Sequence, residues 1–546
     1  MSKKPSVFLR DVTGLVREWK ARDAFMFNVL TMAVLSGGAY DITTAAGVFP
    51  NGNLILGIFL TALLGTSMWI TYAFLSVTIP RSGADWVFQS RILIPSVAAS
   101  IIIGDIFYLI YWVVFGTFYA VAGGIGPFFV TIGAFYHNQI WMNFGTWIGS
   151  GVGLSFFIAG IIILVLAGIQ LILPIRFYAK VQWFLMGSVM AGITATILVF
   201  SLTPHNLFVE KFNEFSTLFV SSPDYYHQVI NSATSNGLIL RSHISLFDQF
   251  GIFPVTWSLL AWAFWSAQFN GEIRGASSLK NQTIIMLGSG WFTAIIWILM
   301  AYTLIRMASW QFVTSASYLT LTGNFGIPIG AYITTYLAAL SGSSLNIIIL
   351  ISLLLIMIAF IANGYQIFYN TIGGPIRLGF SMAFDRVLPD LFTKVSERWG
   401  TPLNFTILAL IVAAGELWAA AFYPQYAPLI IPATLSSGAI PYMFTSAAGA
   451  LLPFRRPEIY KSSPISNYKI GSLPLITLTG VISLLFNALV AYYWLSVPAL
   501  GLYNYGVLIF VMGAYVFGAI WYLVFKSYRK KQGIEIDLAF KAIPPE

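Results

Sequence analysis

The chain has no cysteine, which excludes disulfides, thiolate nucleophiles, iron–sulfur clusters and cysteine zinc sites. It is equally short of charge: Asp, Glu, Lys and Arg together make up 9% of its 546 residues, against about a quarter in a soluble domain. So little charge cannot cover a water-facing surface, and lipid has to take the place of water. There is no Gly-Lys-Ser/Thr phosphate loop, so ATP hydrolysis by this chain is not expected. Gly149-Ser150-Gly151-Val152-Gly153 misses the dinucleotide fingerprint and falls at the start of an apolar run. An enzyme is therefore not the expectation.

What is present is apolar: hydrophobic residues are 58% of the chain and mean hydropathy is +0.81. Runs long enough to span a bilayer fall at Asp23–Gly47, Leu54–Ile79, Val97–Val121, Trp147–Leu173, Val181–Leu202 and Ile252–Ala276. Six more follow at Thr283–Ala308, Asn346–Ile372, Leu403–Phe422, Ala427–Phe454, Leu473–Leu495 and Leu502–Phe525. Twelve spans put both termini on one side. Met1–Lys20 mixes both signs of charge ahead of any apolar run, so the first hydrophobic segment is expected to stay as a span. With the N-terminus inside, all but Lys211, Arg241 and Arg306 of the 28 Lys and Arg residues fall in inside segments. The net charge of +9 thus reports orientation, and no nucleic-acid partner is expected. The expected location is the cell membrane, with both termini cytoplasmic.

Two spans carry polar or glycine-rich centres. The first has Ser36-Gly37-Gly38 followed by Asp41; the sixth has Ser266-Ala267-Gln268-Phe269-Asn270. An unwound helix frees backbone N–H and C=O groups, which lipid cannot satisfy, so such a break has to line a cavity or touch protein. These spans open two groups of five helices. Because five is odd, the second group is inverted, and interruptions at matching places in inverted halves point to a transporter's central site. The competing reading is that the glycines only allow close helix packing.

Four acidic residues lie well within spans: Asp41, Asp105, Glu272 and Glu416. Intramembrane carboxylates are functional candidates. Asp41, about one turn beyond the first centre, is a candidate for substrate or a co-transported cation, and Glu272 for proton exchange. Asp105 reads as a strut, and Glu416 is placed near the interface. Phe264, Trp265 and Phe269 beside the sixth centre, with Tyr108, Tyr111 and Trp112 on the third span, are candidate gates or packing. All four histidines (His137, His205, His227, His243) fall in outside loops.

The loops carry a resemblance. Pro80-Arg81-Ser82-Gly83-Ala84-Asp85-Trp86 is similar to the Pro-Arg-Ser-Gly-Gly-Asp-Tyr loop of the amino acid–polyamine–organocation (APC) permeases. Met382-Ala383-Phe384-Asp385-Arg386-Val387-Leu388-Pro389, continuing to Trp399-Gly400-Thr401-Pro402-Leu403-Asn404, resembles a second motif of that family, and Arg455-Arg456-Pro457 a third. The resemblance runs from about Lys20 to Pro464. It implies an all-α integral membrane protein of 12 transmembrane helices: a 5+5 inverted-repeat, leucine-transporter-like core with discontinuous helices 1 and 6, plus two extra helices. The parts would be a tail (1–22), two five-helix repeats (23–202 and 252–454) flanking an outside loop (203–251), a cytoplasmic loop (455–472), helices 11–12 (473–525) and a tail (526–546).

By the same resemblance the chain would be a secondary active transporter of amino acids or related amines, with a polyamine or organocation transporter and a non-transporting sensor as alternatives. Amide hydrogens of Ser36, Gly37 and Gly38 would meet a substrate carboxylate. Carbonyls around Trp265, Ser266, Ala267 and Gln268 would meet its amine, and the gate would fall on Phe264, Trp265 or Phe269. No cofactor is implied beyond a coupling ion, H+ or Na+. The sixth span departs from the family's Gly-Phe-Glu-like break, and Val189 stands where proton-coupled members can carry a lysine. For Na+, Asn370 and Thr371 are the nearest polar groups of the eighth span, with Asn363, Tyr365 and Gln366 further out.

Overall fold

The computed structural model describes residues 15, 17–396, 398–501, 504–541 and 543. Lys3, Lys4 and Arg10 of the expected basic tail lie outside them. Among the described residues, twelve helices are long and apolar enough to cross a membrane: Ala21–Val48, Leu54–Thr78, Pro95–Phe135, Gly153–Ile172, Ile175–Leu202, Leu246–Glu272, Leu279–Ala308, Ile347–Phe384, Leu403–Phe422, Pro424–Arg455, Leu475–Ser496 and Tyr505–Lys531. Large apolar side chains such as Phe184, Leu202, Ile411 and Ile509 stand exposed on the outside of the bundle, as lipid contact requires. The chain is a multi-pass membrane protein.

The most apolar window is 89% buried in the first and sixth spans but only 28% in the twelfth. The first two therefore occupy the centre and the last the rim. The first span is wound as Ala21–Thr31 and Ser36–Val48, joined by the turn Met32–Leu35, where Ala33 takes φ +47°. The sixth is α-helical over Leu246–Leu260 and then tightens into a 3-10 helix over Ala261–Glu272, with Phe269 at φ −107°, ψ 15°. The stretch Ser266–Asn270, where an interruption was expected, is wound as 3-10 helix with a non-helical kink at Phe269.

The third and eighth spans run furthest past their expected ends. The third continues through a π-helical stretch, Tyr119–Ile125, to Phe135. There Gly123 and Gly124 sit against Phe360 of the eighth span. The eighth continues through Gly373-Gly374-Pro375 to Phe384. Those glycines lie where Phe269 and Trp265 of the sixth span press in, so they are packing positions and leave the helix intact.

The outside-loop segments fold as short helices. His205–Ser216 and Tyr225–Ser235 lie between spans five and six, and Trp310–Leu321 and Ile333–Ala339 between seven and eight. At the opposite end both ends of the described chain come down on the bundle. Trp19 pairs with Ile273 and donates its indole N–H to the Ile175 carbonyl. The 3-10 turn Ile536–Lys541 offers the Phe540 carbonyl to Arg456. This face is called the terminal end below, and the other the far end.

Candidate functional site

The turn in the first span frees main-chain groups at mid-bundle, and side chains from two other spans take them up. Asn363 Oδ1 accepts from the Leu35 and Ser36 N–H groups, each at 3.3 Å. The Trp297 indole N–H donates to the Val34 carbonyl at 2.8 Å. Gly37 N–H returns to the Ala33 carbonyl at 2.7 Å. Asn28, in the first half of the same span, binds the sixth: its Nδ2 donates to the Ala263 carbonyl at 2.5 Å and its Oδ1 accepts from Ser266 N–H at 2.8 Å. A second chain runs Thr31–Asn370–Tyr178–Gln366. Unpaired polar groups would be costly in this setting.

The residues carried over by resemblance lie in a closed core whose main-chain groups are largely taken up, although Ser266 Oγ and Gln268 Oε1 have no hydrogen-bond partner among the described residues. Ser36, Gly37 and Gly38 are buried, and a Cβ on Gly37 would strike Leu259 and Ala33, while one on Gly38 would strike the Trp297 indole. Trp265 donates its N–H to the Asn370 carbonyl. The Gln268 carbonyl accepts from Gly83 N–H at 2.9 Å and its side chain donates to Asp85. Ala267 is buried beside them. Of the ion-coupling candidates, Asn370 belongs to the polar chain above, and Thr371 turns its hydroxyl back to the Ile367 carbonyl.

Below this core the terminal end is shut. Glu272 is bound by Arg377, Nε to Oε1 at 2.9 Å and Nη2 to Oε2 at 3.1 Å. The guanidinium lies 4.4 Å from the centroid of Phe269, and Phe269 stacks on Trp19 and meets Phe27 edge-on. Phe264 stacks on Tyr72 at 3.9 Å. Arg91 forms a second buried pair with Asp385, which also accepts the Trp86 indole N–H. Asp85, on the helix Ala84–Ile92, accepts from Tyr72, Thr445 and Gln268. Burial pushes its carboxyl above the usual carboxylate range, and these three donors hold it partly down. Phe264, Phe269 and Glu272 thus belong to a thick seal.

Towards the far end the bundle is hollow. A cavity of about 540 Å³ is walled by Asp41, Tyr111, Trp112, Phe115, Tyr119 and Trp494, among other mostly apolar residues. A neighbouring cavity of about 430 Å³ shares Tyr40, Phe118, Ser150 and Tyr332 with it. Tyr40 packs on Phe118, Tyr119 and Tyr332, its ring centroid 4.6–5.4 Å from theirs. Asp41 is 7% exposed, and its Oδ2 has no hydrogen-bond partner among the described residues. Among the described residues the walls include no Lys, Arg or His.

Of the sequence candidates, Asp41, Tyr111 and Trp112 reach this cavity; Tyr108 turns its hydroxyl to the Phe510 carbonyl of the last span. Glu416, expected at the interface, is 6% exposed, because the ninth span packs its face against the third and fourth. Sequence reasoning passed over Tyr40, Tyr119 and Tyr332, whose one signal is that Tyr40 adjoins Asp41. It also passed over Asn28, a lone amide inside an apolar run. No protein-family model and no curated protein matches this chain in comparisons with known proteins.

Proposed function

We propose that the chain is a secondary transporter that moves amino acids or related amines across the cell membrane by alternating access, driven by an ion gradient or by exchange. One observation carries the reading. A large aromatic cavity holding an unpartnered carboxylate, Asp41, opens on one half of the bundle, while the other half is closed by buried ion pairs and stacked rings. A solute site reachable from one side at a time is what alternating access requires. The loop motifs that resemble the APC permeases support it, as does the five-plus-five arrangement with interruptions in spans one and six that they imply. In this reading the terminal end is cytoplasmic and the cavity faces outward.

Asp41 is the anchor for an ammonium, and the rings of Tyr40, Tyr119 and Trp112 add cation–π attraction at a desolvated site. A substrate carboxylate would be met by the amides of Leu35 and Ser36 once Asn363 swings away. A second reading, a polyamine or organocation transporter, is favoured by the cavity walls, which among the described residues offer a carboxylate and no cation.

The test is uptake by purified protein in liposomes, with radiolabelled amino acids and radiolabelled 1,4-diaminobutane as probes. Saturable uptake that Asp41→Asn abolishes is the expected result, and diamine uptake without amino acid uptake selects the second reading. Binding without uptake would make the chain a sensor. Neither binding nor uptake under any ion gradient would overturn the proposal.

A further inference from the structure

Glu416 lies in the ninth span, Leu403–Phe422, and is the one charged residue of that helix. Its side chain is buried, and neither carboxylate oxygen has a hydrogen-bond partner among the described residues. The transport reading above gives it no task. Its surroundings have a simple charge inventory. The fourth span, which packs on the ninth, contains no titratable residue from Gly153 to Ile172. The third brings Tyr111, the phenol near Glu416, while Tyr108 points to the last span and Asp105 lies nearly two turns further along.

From the eighth span come Tyr365, bonded to Gln170, Tyr369, stacked on Tyr178, and Arg377, committed to Glu272. Two short turns also touch the ninth span: Asp390–Thr393, whose Asp390 is held by Arg529, and Pro424–Tyr426, whose Tyr426 is exposed. None of these elements offers Glu416 a cation. An ionised carboxylate buried without a cation or donors is strongly disfavoured, so in this conformation the group is the neutral acid.

Its place makes the proton exchangeable. Ala420, one helical turn on and on the same face, lines the large cavity, as do Tyr111 of the third span and Phe156 of the fourth. Glu416 is thus one turn behind the cavity wall, on a helix that forms part of that wall. We propose that Glu416 is the proton-coupling site of this transporter. It takes a proton from cavity water when the far end is open, the O–H bond neutralising the carboxylate. It gives that proton back to water when closure of the cavity moves the ninth span and wets the group. Glu272, bound to Arg377, and Asp41, facing solute, are then free of that role.

This inference rests on the transport reading, and one experiment separates the two. Liposomes containing the protein and a trapped pH-sensitive dye are given the radiolabelled amino acids and 1,4-diaminobutane. Wild-type protein is expected to carry protons in with solute and to accumulate solute under a pH gradient. Glu416→Gln, which mimics the neutral acid, is expected to fold with unchanged melting temperature. It should keep solute counterflow and lose both the proton signal and the gradient-driven accumulation. Solute uptake by wild type with no proton signal, or a Glu416→Gln protein that still couples, overturns the inference and leaves the transport reading standing. A wild-type protein that moves no solute overturns both.

Discussion

Arg377 grips Glu272 with two parallel N–H···O bonds in a part of the bundle where both side chains are at most 3% exposed. The pair joins the sixth span to the eighth, and the guanidinium also covers Phe269. Removing one partner leaves a buried charge alone, which costs about 3–5 kcal/mol. Arg377→Ala and Glu272→Gln should each lower the melting temperature strongly. Arg377→Lys should recover only part of the loss, since an ammonium cannot reproduce the fork. The absence of native cysteine permits a direct readout of the seal. A Ser266→Cys probe, buried in this conformation, should react faster with a maleimide in the Arg377→Ala background. Equal labelling would show that the pair does not hold this end shut.

The twelve spans were legible because a bilayer demands long apolar runs, and these stand out in the sequence even where a polar or glycine-rich centre interrupts them. The details that failed share a cause: whether a polar or small residue ends a helix depends on what meets it in space. Gly373-Gly374-Pro375 and Arg377 look like the close of the eighth span in sequence, but Phe269, Trp265 and Glu272 of the sixth accept them inside the bundle. Ser266–Asn270 looks like an opening, yet Asn28 and Gly83 take its main-chain groups. Asp41 was legible as an intramembrane charge, whereas the ring cluster above it joins residues from the first, third and eighth-span approaches that no local pattern links.

Asn363 holds two amides at once, those of Leu35 and Ser36. Asn363→Ala strands both in a buried place, at about 1–3 kcal/mol for a donor left without its partner. The variant should melt lower than wild type, and a small carboxylate such as acetate, able to reach the freed amides, should restore part of the difference. No rescue by acetate at any concentration would mean that the turn closes over the gap.

Asp390 ties the segment after the eighth span to the twelfth. It accepts from Arg529 at 2.6 and 3.1 Å, and Arg386 approaches at 2.7 Å. Partial burial alone would raise its carboxyl, but the bonds from Arg529 and Arg386 outweigh that and leave it below the ordinary carboxylate value. A depressed value in the folded state means that the stabilisation is present above the unfolded value of about 3.9 and fades as pH falls through the folded one. Melting curves of wild type and Asp390→Asn should therefore differ at neutral pH, by no more than about 1 kcal/mol for a half-exposed carboxylate. They should converge in acid. A gap that stays constant down to low pH would rule the ion pairs out as its source.

Gly38 and Trp297 form a tight joint of the central core. The indole lies where a Gly38 Cβ would stand, and from there its N–H reaches the Val34 carbonyl in the turn of the first span. One methyl group would have to displace the ring, and displacing the ring unpairs the carbonyl. Gly38→Ala should thus combine overpacking, about 1–3 kcal/mol, with the loss of a buried hydrogen bond. Trp297→Phe removes the N–H and keeps most of the ring, so it should lose mainly the bond, about 1 kcal/mol. If both effects act through the one contact, the double variant should melt no lower than Gly38→Ala alone. Additive losses would show that the glycine and the indole act separately, and that the turn is held by something other than their contact.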